Sequence, residues 1–493
     1  MLVPSREEFL SRTGGATPMA VYREILADLE TPLGAYWKLA HDQRFSFLLE
    51  SVTGGEQVSR FSVLGVKPRA VIRSKNGNMC RMTEAGTEHS TLAQGEDPLH
   101  VLKREVMGTP PLYVPGMPAF ATGAVGMLSY DIVRYFERLP DSTKDDLQVD
   151  DMAMMLVDTV VVFDHAKNLI RIVSMTDGSE ADYERAEREI LDIEGKLRAP
   201  LPAIPTFKGE PHPVECNITK KEFEAMVSRM IEYITAGDGI QMVPAQRFST
   251  KVDAHPLTVY RALRSINPSP YMFFLRFGDF DLVGASPELL VSLHGHEARV
   301  RPIAGTRWRG KDEVEDAALA KELLSDVKER AEHIMLVDLG RNDLGRVCEY
   351  GSVRVNELMV IERYSHVMHI VSDVTGTLRK DMDAFDLFRA CHPAGTVSGA
   401  PKVRAMEIID ELETTRRGSY AGAVGFLSHS GELDTCIALR TIYLKDGIAY
   451  VQAGGGVVYD SVPEKEYVES CNKAKASLRA IEMAQRGLDA KGA

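Results

Sequence analysis

The chain has 493 residues, 44% of them hydrophobic, and carries 58 Lys and Arg against 71 Asp and Glu, for a net charge of −13. This length is enough for more than one hydrophobic core, and the composition is typical of an ordinary globular protein. The acidic balance argues against a nucleic acid or an anionic membrane as partner, so any anionic ligand needs a local positive site.

The cysteines and the N-terminal residues indicate the compartment. Six scattered cysteines include no C-x-x-C pair, which argues against a zinc site or a disulfide framework and predicts reduced, mostly buried thiols. The opening "MLVPSREEFLSRTGG" contains charges and lacks the apolar stretch of a signal peptide, and nowhere do 18 uncharged apolar residues run together. The sequence therefore predicts a cytoplasmic protein.

The first part of the chain predicts strands with a few helices. Runs rich in β-branched and aromatic residues are broken by turn residues, in "YWKLAHDQRFSFLLESV", "RFSVLGVKPRAVIRS", "AFATGAVGMLSYDIV" and "MMLVDTVVVFDHAKNLIRIVSM". Apolar residues then recur at helical spacing over about 181–197, which predicts a helix that covers this sheet. Five prolines indicate a linker at 199–216 between a region 1–198 and a region 217–486.

The region after the linker mixes pairs of strands with groups of helices. Thr219 and Glu222 form a T-x-x-E capping box that opens a helix ending near Gly237. Further helices are predicted over about 312–344, 383–391, 401–412 and 462–486, and strands in "GIQMVPAQRFS", "PYMFFLRFGDFDLVGAS", "ARVRPIAG", "HVMHIVSDVTGTL", "SYAGAVGFLS" and "DTCIALRTIYLKDGIAYVQAG". This order predicts an α+β fold, a sandwich of large, mostly antiparallel sheets with outer helices.

Two predicted helices carry paired glutamates. Glu329 and Glu332 are i,i+3 neighbours on one helix, and Glu466 and Glu469 are such neighbours on the last helix, with Lys473 near the same stripe. Four carboxylates from two helices can surround one hard cation such as Mg²⁺. Spacing alone favours the alternative, a solvated surface in which Glu469 and Lys473 form an ordinary i,i+4 pair.

Glycines and one arginine indicate an anion site near these glutamates. Gly454, Gly455 and Gly456 would let a ligand touch the main chain ahead of a helix start, although a bulge or tight bend explains them equally well. The segment "HPAGTVSGAPK" offers a second such place. Arg440 in the strand-like "CIALRTIYL" predicts either a buried ion pair or a carboxylate clamp.

Other single residues carry little weight by themselves. His369 interrupts an apolar strand, where a lone histidine is more often a core residue than a catalyst. Glu288 follows a strand, where a cap or turn role is more common. The sequence contains no Ser-His-Asp or Cys-His arrangement that can be argued, and no nucleotide-binding glycine motif.

Four long motifs, taken in order, give the chain a resemblance to a known family. They are "PIAGTRWRG", "KERAEHIMLVDLGRNDLGRV", "HPAGTVSGAPK" and "AGGGVVYDSVPEKEYVESCNKAKA". Together they resemble the chorismate-utilising enzymes and, within that family, the large components of anthranilate synthases. The resemblance covers most of the chain, and it also extends to "LLES" and "NPSPYM", which are similar to the tryptophan-binding elements of these enzymes.

The resemblance implies roles for particular residues. Glu332 and Glu469 match direct Mg²⁺ ligands, with Glu329 and Glu466 reaching the ion through water. Glu288 matches the proton donor to the C4 hydroxyl that departs in the first half-reaction, and His369 and Thr396 match residues that serve the second half-reaction, in which a C2 proton is removed. Residues that match the chorismate contacts are Gly305, Thr306, Tyr420, Arg440, Gly454, Gly455, Gly456 and Lys473, and those that match the tryptophan contacts are Glu50, Ser51, Pro270, Tyr271 and Met272.

At two positions this sequence differs from other branches of the family. Members that add water carry a lysine base where this chain has Gln241, and aminodeoxychorismate synthases typically have lysine where it has Ala304. Both favour ammonia as nucleophile and anthranilate as product, with aminodeoxychorismate synthase as the alternative. A catalytically silent tryptophan-binding regulator is a further alternative, and the retained charged residues argue against it.

The resemblance also implies partners. No amidotransferase triad occurs in the chain, so ammonia from glutamine would need a separate glutamine amidotransferase small subunit, in a heterotetramer of two large and two small subunits. L-Tryptophan would act as feedback inhibitor. Whether the chain serves tryptophan synthesis or a secondary pathway such as phenazine or quinolone supply stays open.

Overall fold

A computed structural model of the chain describes residues 2–52, 60–115, 117, 120, 122–364 and 367–488. Three residues of predicted strand runs, Ala119, Ala121 and His366, lie outside them. In chain order the helices are α1 (Arg6–Thr13), α2 (Pro32–Ala40), α3 (Pro98–Val106), α4 (Glu180–Arg198), α5 (Lys220–Ala236), α6 (Pro256–Ile266), α7 (Glu313–Ser325), α8 (Val327–Gly345), α9 (Ala384–Cys391), α10 (Lys402–Leu412) and α11 (Pro463–Arg486).

The strands of the described residues form two large antiparallel sheets and one small pair. They are β1 (Met19–Leu26), β2 (Phe45–Glu50), β3 (Phe61–Val66), β4 (Ala70–Lys75), β5 (Asn78–Thr83), β6 (Gly86–Thr91), β7 (Gly123–Leu128), β8 (Met152–Val157), β9 (Thr159–Asp164), β10 (Leu169–Thr176), β11 (Glu215–Cys216), β12 (Gln241–Met242), β13 (Ala245–Lys251), β14 (Tyr271–Phe277), β15 (Phe280–Ser286), β16 (Leu289–His294), β17 (Glu297–Val300), β18 (Ile303–Trp308), β19 (Arg354–Arg363), β20 (Val367–Thr377), β21 (Gly399–Ala400), β22 (Ala423–Ser428), β23 (Leu433–Ile437), β24 (Thr441–Lys445) and β25 (Ile448–Gly454).

Both large sheets draw strands from both ends of the chain. The first, sheet A, has the order β1-β10-β9-β3-β2-β14-β15-β24-β25-β13-β11. The second, sheet B, has the order β18-β20-β17-β16-β23-β22-β7-β8-β4-β5-β6, with β19 also paired to β20, and β12 pairs with β21 apart from both. The 1–198 and 217–486 regions therefore share each sheet, because β2 pairs with β14 and β7 pairs with β22.

The main core lies between the two sheets. Along β7, Val125 and Met127 point into the core that faces sheet A, whereas Ala124 and Leu128 join a second core on the outer side of sheet B. This alternation follows from the two-residue period of a strand. Helices α2, α4, α6 and α11 cover sheet A from outside, which confirms the predicted sandwich with outer helices.

Several sequence predictions hold and some need correction. The capping box of Thr219 and Glu222 opens α5, which ends at Gly237 with φ 90°. Residues 36–40, predicted as strand, lie in α2, which Thr31 caps and which a proline opens; their apolar run hid the helical period. The predicted helix over 312–344 is two helices, because the extended Asp326 caps α8 through the amides of Lys328 and Glu329.

Further differences concern β19, the linker and the cysteines. Strand β19 was not predicted, because two register shifts against β20 disturb its alternation. The predicted linker ends in the short edge strand β11, which pairs with β13. All six cysteines are free, but only three of them are buried. Among the described residues, no helix is both long and apolar enough to cross a membrane.

One buried ion pair joins several loops beneath sheet B. Arg417 donates from Nε and Nη2 to the Glu413 carboxylate at 3.0 and 2.5 Å. It also donates to the carbonyl oxygens of Val397 at 2.7 Å and Val243 at 2.6 Å, and the Ala245 amide donates to Glu413 at 3.0 Å. Both side chains are nearly inaccessible to solvent, so each charge depends on these partners.

We expect Glu413→Leu to destabilise the protein by about 3–5 kcal/mol, because it leaves the Arg417 charge buried without a counterion. The matched control is Asp192→Ala, which removes another i,i+4 pair, with Lys196, from an exposed helix face and should cost about 0–1 kcal/mol. Urea denaturation followed by circular dichroism measures both. Similar losses in the two variants would contradict the central role of the buried pair.

Candidate active site

The two helices with paired glutamates face one another. Glu329 and Glu332 lie on α8, and Glu466 and Glu469 lie on α11. Burial is the main cause that raises the pKa of Glu332, and the neighbouring negative charges of Glu329 and Glu469 raise it further. Burial, followed by the charge of Glu469, also raises the pKa of Glu466. Carboxylates from both helices therefore repel one another across one space.

Two of these carboxylates form ion pairs with nearby cations. Lys473 lies 2.9 Å from Glu469, and Arg307 lies 3.1 Å from Glu329. Within the described part of the chain, no three carboxylate, imidazole or thiolate groups lie close enough together to hold a metal ion. The chemistry of this all-carboxylate set fits Mg²⁺, and convergence on an ion would require Glu329 and Glu469 to leave their present partners.

The glycines after β25 bring the main chain against the glutamates. A Cβ on Gly455 would lie 3.4 Å from an oxygen of Glu466 and 3.4 Å from an oxygen of Glu469. A Cβ on Gly456 would lie 2.3 Å from the side-chain nitrogen of Gln241. A Cβ at Gly455 would therefore make ordinary contact with the acidic pair, whereas a Cβ at Gly456 would collide with Gln241, so close packing explains Gly456. Helix α11 begins only at Pro463, so its N-terminus does not follow the glycines directly.

Glu288 and Arg440 lie where the chain crosses between the sheets. Glu288 falls between β15 of sheet A and β16 of sheet B, and Arg440 falls between β23 of sheet B and β24 of sheet A. Backbone hydrogen bonds join the two crossings. The Ile437 amide donates to the carbonyl oxygen of Glu288 at 3.0 Å, and the Ala285 amide donates to the carbonyl oxygen of Arg440 at 3.3 Å. The predicted strand position of Arg440 is therefore wrong, since its φ of 48° belongs to the crossing.

Glu288 is a buried carboxyl with a strongly shifted proton affinity. Burial raises its pKa to about 7, against the lowering effects of the Thr396 hydroxyl, Lys473 and Arg440. Thr396 Oγ1 is itself buried and makes no well-formed hydrogen bond to any described residue. A cavity of about 40 Å³ lies beside both residues. An acid that is half protonated near neutral pH can donate a proton in an enzyme reaction.

His369 lies on β20 with a defined tautomer. Its Nδ1 is 2.9 Å from the carbonyl oxygen of Gly305 and 3.1 Å from Thr306 Oγ1. Because the carbonyl can only accept, Nδ1 carries the proton and Nε2 is the bare nitrogen. Burial lowers the pKa of His369, so the imidazole is neutral at physiological pH. The ring of Tyr364 packs edge-on against it at 5.5 Å.

Tyr420 approaches the glycines from the other side. It is buried, and burial raises its pKa to about 12. A Cβ on Gly454 would lie 3.1 Å from its hydroxyl oxygen. The Arg417 guanidinium lies over its ring at 5.6 Å. The buried ion pair of Arg417 and Glu413 thus supports the side of the candidate site that contains Tyr420 and the end of β25.

The two predicted tryptophan segments are neighbours on sheet A. Strand β2 pairs with β14 so that Glu50 lies opposite Met272. The Glu50 carboxylate already accepts hydrogen bonds from Tyr260 at 2.5 Å and from Arg264 at 3.0 Å. Two buried polar atoms of these segments, Ser51 Oγ and Asn267 Nδ2, have no hydrogen-bond partner among the residues that the structure describes. Pro270 is buried and Tyr271 half-buried beside them.

Sequence reasoning missed some residues that shape the site. Arg307, which pairs with Glu329, lies two residues after Gly305 in β18, and strand alternation could have placed both on one face. Arg417 carries no sequence signal, because its burial depends on segments far away in the chain. Tyr364 was missed for the same reason.

A separate cavity lies away from these groups. It has a volume of about 840 Å³, and its lining includes Lys67, Arg69, Asp158, Asp182 and Arg185, but none of the predicted site residues. Arg69 pairs with Asp158, and Arg185 pairs with Asp182. Its charges are largely satisfied internally, so volume alone does not make it the candidate active site.

Comparison with known proteins defines the class. The family of chorismate binding enzymes matches residues 44–479, and the chain belongs to this family. Among its relatives, anthranilate synthase component 1 of Pseudomonas aeruginosa is 46% identical over 98% of this chain and 100% of its own length. That of Thermus thermophilus is 48% identical over 95% and 99%. The crystal structure of anthranilate synthase component I from Streptococcus pneumoniae matches with a TM-score of 0.78 and 39% identity, over 92% of this chain and 99% of the other.

The raised pKa of Glu288 predicts that stability depends on pH. The folded protein holds this proton with a pKa of about 7 against an ordinary 4.5, so the free energy of unfolding falls as pH rises through that window. Glu288→Gln should differ little from wild type near pH 5 and be more stable by about 1–3 kcal/mol at pH 8. Urea denaturation at both values measures this, with Glu84→Gln at an exposed turn as control. An equal effect of Glu288→Gln at both values would contradict the raised pKa.

Proposed function

We propose that the chain is a cytoplasmic anthranilate synthase large component, which converts chorismate and ammonia to anthranilate and pyruvate as the first step of tryptophan biosynthesis. The observation that carries this proposal is the position of the buried acid Glu288 beside Arg440 and Lys473. An acid and two cations in one place suit a dicarboxylate substrate that must lose a hydroxyl group.

Mg²⁺ fits the acidic side of the site. Glu332 and Glu469 would hold it directly, and Glu329 and Glu466 through water. When bound, the ion neutralises the ring carboxylate of chorismate. Burial raises the pKa of Glu332, and repulsion from Glu329 and Glu469 raises it further. This supports the assignment, because carboxylates that gather in one place favour a cation.

Glu288 acts as general acid in the first half of the reaction. A C–N bond forms at ring C2 while the C4–O bond breaks, and Glu288 gives its proton to the departing hydroxyl, which leaves as water. The new ammonium group on C2 then loses a proton. Gln241 excludes water as nucleophile, since its amide cannot take a proton from water as a lysine base can.

The second half of the reaction eliminates pyruvate. The C2 proton is removed, the C3–O bond breaks, and the ring becomes aromatic, while the departing enolpyruvate takes up a proton on its methylene carbon to become pyruvate. His369 is the candidate acceptor, because its proton is fixed on Nδ1 by Gly305 and Nε2 is bare. Arg440, Tyr420 and the main chain of Gly454–Gly456 would bind the pyruvyl carboxylate, with Gly305, Thr306 and Thr396 lining the pocket.

The partner and the inhibitor complete the proposal. A glutamine amidotransferase small subunit would supply ammonia, in a heterotetramer of two large and two small subunits. L-Tryptophan would bind at Glu50, Ser51 and Pro270–Met272. Within the described ranges Ser51 Oγ and Asn267 Nδ2 make no hydrogen bond, which supports a polar ligand there. Because Arg264 already pairs with the Glu50 carboxylate, the tryptophan amino group would have to bind that carboxylate beside Arg264 or displace it.

The purified chain with chorismate, ammonium and Mg²⁺ should produce fluorescent anthranilate, whereas glutamine should replace ammonium only when the small subunit is added. Glu332→Gln should lower turnover by about 10²-fold, since it removes a charged ligand. Glu482→Gln, on an exposed turn of the same helix as Glu469, should stay near wild type. Full activity in excess chelator would contradict the Mg²⁺ assignment. 4-Amino-4-deoxychorismate as main product would support the alternative, aminodeoxychorismate synthase.

Tryptophan should inhibit turnover, and Ser51→Phe should abolish the inhibition by filling the space beside Ser51. Inhibition requires tighter binding of tryptophan to a less active state, so chorismate should weaken tryptophan binding by about 1–3 kcal/mol in return. Calorimetry with and without chorismate measures this, and uninhibited turnover of the variant is recorded alongside. A wild-type enzyme that ignores millimolar tryptophan would instead fit a secondary-pathway anthranilate synthase.

A further inference from the structure

The half of α8 that carries Glu329 and Glu332 has no buried apolar side chain. Counted from its first residue, the first buried side chain of this helix is His333. Val327 and Lys328 are exposed, and the two glutamates are half-buried. His333 is therefore the closest buried attachment between the acidic end of the helix and the body of the protein.

His333 makes one short hydrogen bond in a fully buried place. Its Nε2 lies 2.6 Å from Ser372 Oγ, and neither residue is accessible to solvent. The same Oγ accepts a hydrogen bond from the Met359 amide at 2.9 Å. His333 Nδ1 is buried without a partner. The imidazole thus depends on Ser372 for its hydrogen bonding within the described residues.

Ser372 connects three elements of the site. It lies on β20, three residues after His369, and the helix α8 packs against that strand. Met359 lies on β19 at an irregular point between two register positions and has a φ of 56°. One hydroxyl therefore joins the acidic helix, the strand of His369 and a strained residue of the neighbouring strand.

We propose that His333 and Ser372 are positioning residues that fix the carboxylate of Glu332 relative to His369, and that the cation affinity of the site depends on their hydrogen bond. This inference rests on the proposed function. The restraint is needed because Glu332 faces Glu329 on its own helix and Glu469 on α11, and like charges push this end of the helix away from α11.

The ion pairs of this helix end cannot take over that task. Lys328 pairs with Asp460 at 3.1 Å, and both side chains are exposed. Arg307 pairs with Glu329 and with Asp326, and the pair with Glu329 would break when that carboxylate turns to a bound cation. Partly exposed ion pairs also restrain position weakly. The buried hydrogen bond of His333 persists in both situations, since neither of its partners is a proposed ligand.

The test measures cation binding directly, with Mn²⁺ as probe and electron paramagnetic resonance as readout. Ser372→Ala should weaken Mn²⁺ binding by about tenfold or more, as loss of an outer partner of a ligand group does elsewhere. His333→Leu should do the same, whereas His333→Gln, which keeps a hydrogen-bonding group, should retain more of the affinity. If Ser372→Ala does not fold, the two His333 variants decide the question.

Ser46→Ala is the matched control. Ser46, on β2 of sheet A, is as buried as Ser372 and shares a 2.8 Å hydrogen bond with the hydroxyl of Tyr36 on α2. The Ser46→Ala variant should lower the melting temperature, as we also expect of Ser372→Ala, but it should leave the Mn²⁺ affinity unchanged. Wild-type Mn²⁺ affinity in both Ser372→Ala and His333→Leu would overturn the inference, as would an equal loss in Ser46→Ala.

Turnover separates this inference from the proposed function. If wild type binds Mn²⁺ and makes anthranilate, the half-saturating Mg²⁺ concentration should rise in Ser372→Ala together with the Mn²⁺ dissociation constant. Unchanged values in that variant would overturn only the positioning role. If wild type neither binds Mn²⁺ nor forms anthranilate, the proposed function fails, and this inference fails with it.

Discussion

The buried pair of Arg417 and Glu413 is the interaction on which the site depends. A guanidinium and a carboxylate without solvent are costly unless all their hydrogen bonds are made, and here the partners come from separate segments of the chain. They include Val397, which follows Thr396, and Ala245, which lies opposite Gly454 in the sheet. Satisfying one ion pair therefore brings the Thr396 segment, the end of β25 and Tyr420 together.

The crossing of the chain between the two sheets provides the second constraint. Glu288 and Arg440 lie at neighbouring crossings between strands, outside the regular hydrogen-bond pattern of either sheet. Burial then acts in opposite directions on an acid and a base, and it raises the pKa of Glu288 and lowers that of Arg440. One architectural feature thus gives both the placement and the proton affinity of the candidate acid.

The same sheets connect the proposed regulatory segments to the site. Strand β2, which ends at Glu50, pairs with β14, and β14 pairs with β15, which leads directly into Glu288. A ligand that moved β2 relative to β14 would therefore act on a strand next to the acid. Coupling of this kind needs two arrangements that the ligand binds unequally, and a shared sheet provides a continuous physical connection between them.

The sequence by itself determined the local elements and the family. Capping residues and apolar periods depend on neighbouring residues, so the box at Thr219 and the Glu-x-x-Glu helices could be predicted, and the long motifs indicated the fold. Only the tertiary structure decided that Arg440 sits at a crossing, that Glu50 is paired with Arg264, and that β19 pairs irregularly with β20. Burial, pairing and register arise between residues far apart in the chain, and no local pattern encodes such distances.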